Sequence, residues 1–233
     1  MTDQRPPDPL DPERIIPSWL RASAPEQRWP VIVAIASVIA LQYAIPDRYT
    51  IVPRWPLIAL ELLLLLVLLA VNPLKPSRFS YVSTWATRGL IAAITLDNTA
   101  SATVLDYRIL TGGVGDNVAV LLGSGGAIYI TNIIAFGIWY WLLDRGGPLA
   151  RLTGDNHYPD FLFPQMSDPD HAPPDWRPTF IDYLYVAFTN AVAFSPTDTM
   201  PMARWAKLMM AVQSLVALTT IALVFTRAVS LLN

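Results

Sequence analysis

Polar side chains that could hold an ion or a proton interrupt several long apolar stretches of this chain. The sharpest case is Asp97, near the centre of the apolar block 88–110, within the sequence LDNTASAT. A charged or amide side chain is costly inside a hydrocarbon core and usually faces a bundle interior or a cavity. Five residues are therefore candidates for transport or for lining a polar cavity: Asp97, Asn98, Asn132, Asn190 and Asp198.

Asp97 and Asn132 lie near the centres of consecutive apolar blocks, which gives the pair two interpretations. Either they hydrogen-bond as a clamp between helices, a contact worth ~0.6–2 kcal/mol, or they line an ion or proton site together. Small residues recur at every fourth position from Gly89 and from Gly123. This spacing predicts that the third and fourth helices pack closely and places Asp97 at their interface.

Asp198 lies in a different setting, the proline-stiffened turn FSPTDTMP. Its carboxylate either caps backbone N–H groups of the turn and of the helix region that follows, or lines the mouth of a pathway.

The apolar blocks that position these residues are long. Apolar residues form 53% of the 233-residue chain and are concentrated in stretches that can cross, or nearly cross, a hydrocarbon core of about 20 helical residues. The blocks are 29–45, 56–72, 88–110, 118–143 and 204–232, and a further apolar segment lies at 179–195. They predict an all-α membrane protein, a bundle of about six transmembrane helices. Its parts are a cytoplasmic Pro/Asp-rich tail (1–28), a four-helix transmembrane region (29–143), a polar loop (144–178) and a helical hairpin (179–233).

Composition excludes several other classes. The net charge is −2, so no nucleic-acid partner is expected, and the absence of cysteine excludes thiolate chemistry. His157 and His171 lie in an acidic loop without the spacing of a metal site, and no catalytic arrangement stands out. We predict no catalytic residues, no metal, no cofactor and no enzyme. The predicted partners are the lipid bilayer, further copies of this chain, and a protein docked on the loop 145–178.

The region 178–229 shows a distinctive order of elements. A short apolar segment with Tyr183 and Tyr185 runs into a polar turn that ends Asp-x-x-Pro, after which Arg204 opens a long apolar helix. This order resembles the pore helix, filter and inner helix of two-transmembrane potassium channels. The resemblance covers about 50 residues and implies a channel-type pore loop.

The filter itself differs from that family. Aligned without gaps on the pattern T-x-T-T-V-G-Y-G-D-x-x-P, its final Asp and Pro fall on Asp198 and Pro201. The Gly-Tyr-Gly positions hold Ser195, Pro196 and Thr197, so the glycines that allow carbonyl coordination of potassium are missing. A wider pattern over 138–233 resembles a group of uncharacterised bacterial integral membrane proteins, which implies a multi-pass protein of the inner membrane.

Segment 179–195 is either a full span or a re-entrant pore-type helix. With six spans and a cytoplasmic N-terminus, 11 basic residues lie inside and five outside. If the segment is re-entrant and faces outside, as in potassium channels, 12 lie outside and four inside, against the positive-inside rule. Charge therefore favours six spans, with both termini cytoplasmic and FSPTDTMP outside.

Two functions follow from this reading. The first is a channel-like or transport-related membrane protein with a degenerate pore loop. The alternative is a non-conducting structural or regulatory membrane subunit that docks a partner.

Overall fold

The computed structural model describes residues 17–21, 26–27, 29–50, 54–70, 79–115, 117–153, 158–193 and 198–232. As predicted, the described chain is mainly helical. The long helices are α1 (Trp29–Ala44), α2 (Arg54–Ala70), α3 (Phe79–Leu110), α4 (Val118–Leu143), α7 (Phe180–Ala193) and α8 (Arg204–Leu232). Between α4 and α8 lie the short elements α5 (Pro148–Thr153), β1 (Phe161–Leu162), α6 (Pro164–Ser167) and β2 (Met200–Pro201). Single 3₁₀ turns occur at Ser18–Leu20, Asp47–Tyr49, Asp144–Gly146 and Pro169–His171.

Helix α4 is the central element. It packs against α1, α3, α7 and α8, and its apolar side chains, including Leu121, Ile128 and Tyr140, are buried on most sides. Its sequence is apolar around the whole circumference, which is the composition of a helix enclosed by others rather than of an amphipathic surface helix.

Two helices have the length and apolar character of membrane spans, Val118–Gly146 and Arg204–Leu232. Two further apolar helices, Trp29–Ala44 and Phe180–Val192, are shorter. Helix α3 has 32 residues but carries charges along its length, among them Asp97 and Asp106. The expectation of about six full spans is therefore met only in part.

Two separate sets of contacts define the two ends of the bundle. At one, the Asp144 end, the turn after α4 meets β1 and the start of α7, because Asp144 accepts hydrogen bonds from Phe161 N and the Tyr183 hydroxyl. At the other, the Tyr49 end, a second apolar cluster joins the ends of α1, α3 and α8 to the start of α4. That cluster contains Ile45, Tyr49, Leu105, Leu121, Val224 and Ala228.

Helices α7 and α8 both begin at the Asp144 end and run in the same direction. Along α7, Phe180 stacks edge-on against Trp141 of α4, whereas Leu184 lies against Gly137, one turn farther from that end. By residue 200 the chain has nevertheless returned to the Asp144 end, because β2 pairs antiparallel with β1, with Pro201 opposite Phe161. The segment around α7 thus enters and leaves at one end of the bundle.

This arrangement corrects one expectation. Residues 179–195 do not cross the bundle to deliver Asp198 to the opposite end, because β2 lies at the end where α7 starts. The described N-terminal residues also lie at the Asp144 end, where Ser18 Oγ donates to Trp176 O, whereas the C-terminal turns of α8 lie at the Tyr49 end. An even number of crossings, which would put both termini at one end, is wrong for this fold.

Glycines allow helices to approach closely, but not at the positions that the repeat of small residues predicted. A Cβ on Gly125 would lie 2.7 Å from a Val224 methyl of α8, and one on Gly137 would lie 3.0 Å from Leu184 Cα of α7. By contrast, a Cβ on Gly89 or Gly123 would meet nothing within 4 Å. The predicted close approach of α3 and α4 is therefore wrong at those two glycines, and the tightest glycine contacts hold α4 to α7 and α8.

Candidate functional site

A buried carboxylate, Asp144, organises the end of the bundle from which α7 enters. The sequence Asp-Arg-Gly-Gly-Pro ends α4 with Arg145 in the left-handed region (φ 52°), and Gly146 and Gly147 also have positive φ. This tight reversal turns the Asp144 side chain inward, where it is fully buried. One carboxylate oxygen accepts from the backbone N–H of Asp160 (3.0 Å) and of Phe161 (3.2 Å), and the other from the Tyr183 hydroxyl (2.6 Å).

Asp160 extends this network towards α8. Its carboxylate accepts from Arg145 N (2.7 Å) and from the Trp205 indole N–H (3.1 Å), and its carbonyl accepts from Met202 N (2.8 Å). The two carboxylates thus connect the end of α4, strand β1, helix α7 and the start of α8. Because backbone donors and a hydroxyl supply most of these bonds, the cluster is a positioning device rather than an acid–base pair.

Basic side chains surround the same end. The guanidinium of Arg145 is buried, lies 3.4 Å from the Asp144 carboxylate and donates to Trp19 O. Arg151 donates to the Trp141 and Asp144 carbonyls and lies over the Tyr183 ring. Burial lowers the pKa of the Arg177 guanidinium, and the neighbouring Arg21 lowers it further. The Asp144 end therefore holds most of the described basic side chains, together with the carboxylates of the network.

The N-terminal segment secures the start of α7. Glu26 accepts from the Trp141 indole N–H and from Phe180 N, each at 2.7 Å, and so joins the end of α4 to the first residue of α7. Asp182 accepts from both the backbone and the hydroxyl of Thr179. Carboxylates at a helix N-terminus satisfy free N–H groups and complement the helix dipole.

Asn190, one of the candidates from the sequence, lies in a second buried network farther along α7. Its amide donates to Met210 O (3.0 Å) and to the Gln213 side-chain oxygen (2.8 Å) on α8. Gln213 also accepts from the Tyr140 hydroxyl of α4 (2.6 Å) and donates to Ala187 O (2.8 Å). These bonds hold the inner part of α7 against two other helices.

A third set of polar residues lies in the middle of α3, α4 and α8, three helices that pack against one another. Buried side-chain atoms there have no hydrogen-bond partner among the described residues. They are Asn98 Oδ1, Thr131 Oγ1, both amide atoms of Asn132, and Thr220 Oγ1. Asn132 is only 1% exposed. Two of the predicted residues, Asn98 and Asn132, are therefore buried and have amide atoms without a described partner.

Asp97 and Asp198 are placed differently. Asp97 is half-buried and accepts a hydrogen bond from the Gln42 amide of α1 at 3.0 Å. The predicted Asp97–Asn132 clamp is wrong, because neither amide atom of Asn132 is bonded to any described group. Asp198 is exposed just before β2, and α8 begins only at Arg204, so Asp198 does not cap that helix. Of the positions aligned with the potassium filter, 194–197 lie outside the described residues.

Several important residues were not among the sequence candidates. Gln42 and Gln213 lie inside apolar helices, and an amide in an apolar helix is the sequence signal of a buried polar contact. Asp144 carries no comparable signal, since a charged pair after an aromatic belt is typical of a helix end at a membrane surface. Its burial depends on the left-handed Arg145 and on strand β1, which are long-range features.

No family model, curated protein or solved structure matches this chain. The functional conclusion therefore depends on the geometry of the chain alone.

Proposed function

We propose that this chain is an integral membrane protein of the channel-like or transport-related type, built around a re-entrant helical hairpin that lacks a potassium filter. The observation that carries the proposal is the parallel course of α7 and α8 from one end of the bundle. In a membrane, backbone that enters and returns on one side is tolerated only where protein encloses it or where it lines a water-filled cavity.

The dimensions support a re-entrant segment. Helix α7 has 14 residues, which give roughly 21 Å at 1.5 Å per residue and fall short of a hydrocarbon core of about 30 Å. Six residues lie between Ala193 and Met200, which gives seven steps of about 3.3–3.6 Å in an extended chain, enough to return over that length. On this proposal the other long helices cross the membrane, with α4 and α8 as its two fully apolar spans.

The distribution of basic residues supports a third orientation, which differs from the two compared in the sequence analysis. Of the 11 Lys and Arg residues that the structure describes, all but four lie towards the Asp144 end. The four at the Tyr49 end are Arg48, Arg54, Arg108 and Arg227. The positive-inside rule then makes the Asp144 end cytoplasmic. The hairpin opens to the cytoplasm, opposite to a potassium-channel pore loop, with the N-terminus inside and the C-terminus outside.

Cysteine labelling tests this topology cleanly, because the chain has no native cysteine. We expect Ser167→Cys and Asp198→Cys to react with a membrane-impermeant maleimide in inside-out vesicles and to be protected in intact cells. Ser230→Cys, at the opposite end, should show the reverse pattern. Six full spans predict that Asp198→Cys reacts in intact cells and Ser230→Cys in inside-out vesicles. That result would overturn the re-entrant topology.

Reconstitution tests the function itself. Purified protein in liposomes is expected to carry an ion current or a tracer-ion flux that exceeds that of protein-free liposomes by at least tenfold. Gln213→Leu, which removes two hydrogen bonds between α7 and α8, should reduce the flux at equal protein incorporation. If no flux occurs under any gradient or voltage, the channel proposal fails and the non-conducting, partner-docking subunit takes its place.

A further inference from the structure

The buried polar atoms halfway along the bundle are unusual, because four side chains with unmet hydrogen-bonding capacity lie on three helices that pack against one another. An unpaired buried polar group costs about 1–3 kcal/mol, and the surrounding lipid of a membrane bundle offers no substitute partner. Asn98, Thr131, Asn132 and Thr220 therefore have buried polar atoms that the described part of the chain leaves without a partner.

Helix register places Asn132 and Thr220 opposite each other. Helices α4 and α8 run antiparallel, with Gly125 against Val224 near one end and the Tyr140 hydroxyl on Gln213 near the other. Asn132 lies seven residues, about two turns, after Gly125, and Thr220 lies seven after Gln213, so both share the face of these contacts. Interpolation between the two contacts puts them at the same depth.

Helix α3 brings the third oxygen to that depth. The Trp139 indole donates to Thr95 Oγ1 towards the Asp144 end, and Ala102 and Leu105 share the cluster at the Tyr49 end with Leu121 and Ala127. Asn98 lies between these two levels on α3, and Thr131 lies between them on α4. Helix α3 packs against both α4 and α8, so the four residues belong to three helices in mutual contact.

We propose that this cluster, Asn98, Thr131, Asn132 and Thr220, binds one partly hydrated monovalent alkali cation. Its unpartnered atoms are four neutral oxygens and one amide nitrogen, and hydroxyl hydrogens can rotate away to leave lone pairs facing an ion. Calcium sites in proteins rely on carboxylate ligands, and the cluster contains none, which favours a singly charged ion.

Charges near the cluster agree with a cation. Asp106 of α3 lies close to Thr219, the neighbour of Thr220, and one oxygen of its carboxylate has no partner among the described residues. The basic Arg227 lies seven residues beyond Thr220, roughly 10 Å along α8. The carboxylate therefore provides an attractive potential close to the cluster.

The site deepens the proposed function and rests on it, since it names the class of ion that a pathway would hold halfway through the bundle. Equilibrium binding tests it without any need for flux. Full-length protein in nanodiscs would be titrated with ²²Na⁺ and with ⁸⁶Rb⁺ in a scintillation proximity assay. We expect saturable binding of at least one of these ions, with one ion per chain.

Two variants and one matched control complete the experiment. Thr220→Val, which is close in shape, and Asn132→Leu should each weaken binding at least tenfold. Thr226→Val should leave it unchanged, because the exposed Thr226 hydroxyl on the same helix bonds only to the Ala222 carbonyl. No saturable binding by the native chain, or unaltered binding by Thr220→Val, overturns the site. Binding without flux keeps the site and rejects the channel, whereas flux without binding does the opposite.

Discussion

Replacing Asp144 by alanine is expected to lower the free energy of unfolding by about 3–5 kcal/mol, as removal of one partner from a buried charged pair does. The Asp144 side chain is fully buried, and four donors from different parts of the chain reach its two oxygens. Without it, the Arg145 guanidinium and the Tyr183 hydroxyl each lose a buried acceptor. Thermal and denaturant unfolding of the purified protein in detergent measures the loss.

The effect should be specific to the buried position. Asp168→Ala removes an equally charged side chain from the same polar loop, but one that is exposed and pairs only with the exposed His171. Surface changes of this kind usually stay within about 0.5 kcal/mol. Tyr183→Phe removes one of the four bonds and should lie between the two. Equal stability of Asp144→Ala and Asp168→Ala would contradict the role given to Asp144.

The Asp144 carboxylate also helps to hold the chain where it leaves α7 and approaches α8. Its carboxylate fixes β1 through Phe161 N, β1 pairs with β2, and β2 precedes α8. Loss of the carboxylate thus weakens the contact that returns the chain to the Asp144 end. An increase in labelling of Asp198→Cys in the Asp144→Ala background would reveal that weakening.

Local sequence was enough to predict the central and last helices. Helices α4 and α8 are long apolar runs with clear ends, and the structure gives them the predicted bounds to within a few residues. The order of a short apolar helix, a turn and a long helix was also read directly from 179–233. These features depend on composition and length, which the sequence states explicitly.

The course of the chain between α7 and α8 could not be read in this way. Seventeen mostly apolar residues are compatible with both a span and a re-entrant helix. The charge count compared six full spans with a re-entrant segment that faces outside, and it left out a re-entrant segment that faces the cytoplasm. The deciding contact is a two-residue β-pairing between Phe161–Leu162 and Met200–Pro201, about 40 residues apart in sequence. Such a short strand has no sequence pattern of its own.

The sequence predicted which polar residues are buried better than it predicted their hydrogen-bond partners. Asn98, Asn132 and Asn190 are buried at helix interfaces, as polar residues in apolar helices should be. The partners, however, depend on helix rotation: Asp97 turns towards Gln42 of α1, and Asn190 turns towards Gln213 of α8. A rotation of one residue, about 100°, changes the neighbouring helix, and no local pattern fixes it.

Replacing Gln213 by leucine is expected to cost about 2–4 kcal/mol of stability, because it leaves more than one buried donor without an acceptor. The Gln213 oxygen accepts from Tyr140 at 2.6 Å and from Asn190 at 2.8 Å, and its amide donates to Ala187 O. Leucine matches the volume closely, so the loss reports on hydrogen bonding rather than on packing. Thr226→Val, in an exposed position on the same helix, serves as the control.

A double-mutant cycle isolates the network from helix packing. Tyr140→Phe removes the hydroxyl that Gln213→Leu would orphan, so the double variant should be more stable than the sum of the two single losses predicts, by about 1 kcal/mol or more. Additive losses would mean that the two side chains are not coupled. In that case α7 is held mainly by its apolar contacts and by Glu26 at its start, and Gln213→Leu should leave ion flux unchanged. Coupling together with reduced flux would instead make the buried amides of α7 and α8 the contact that keeps the re-entrant helix in place.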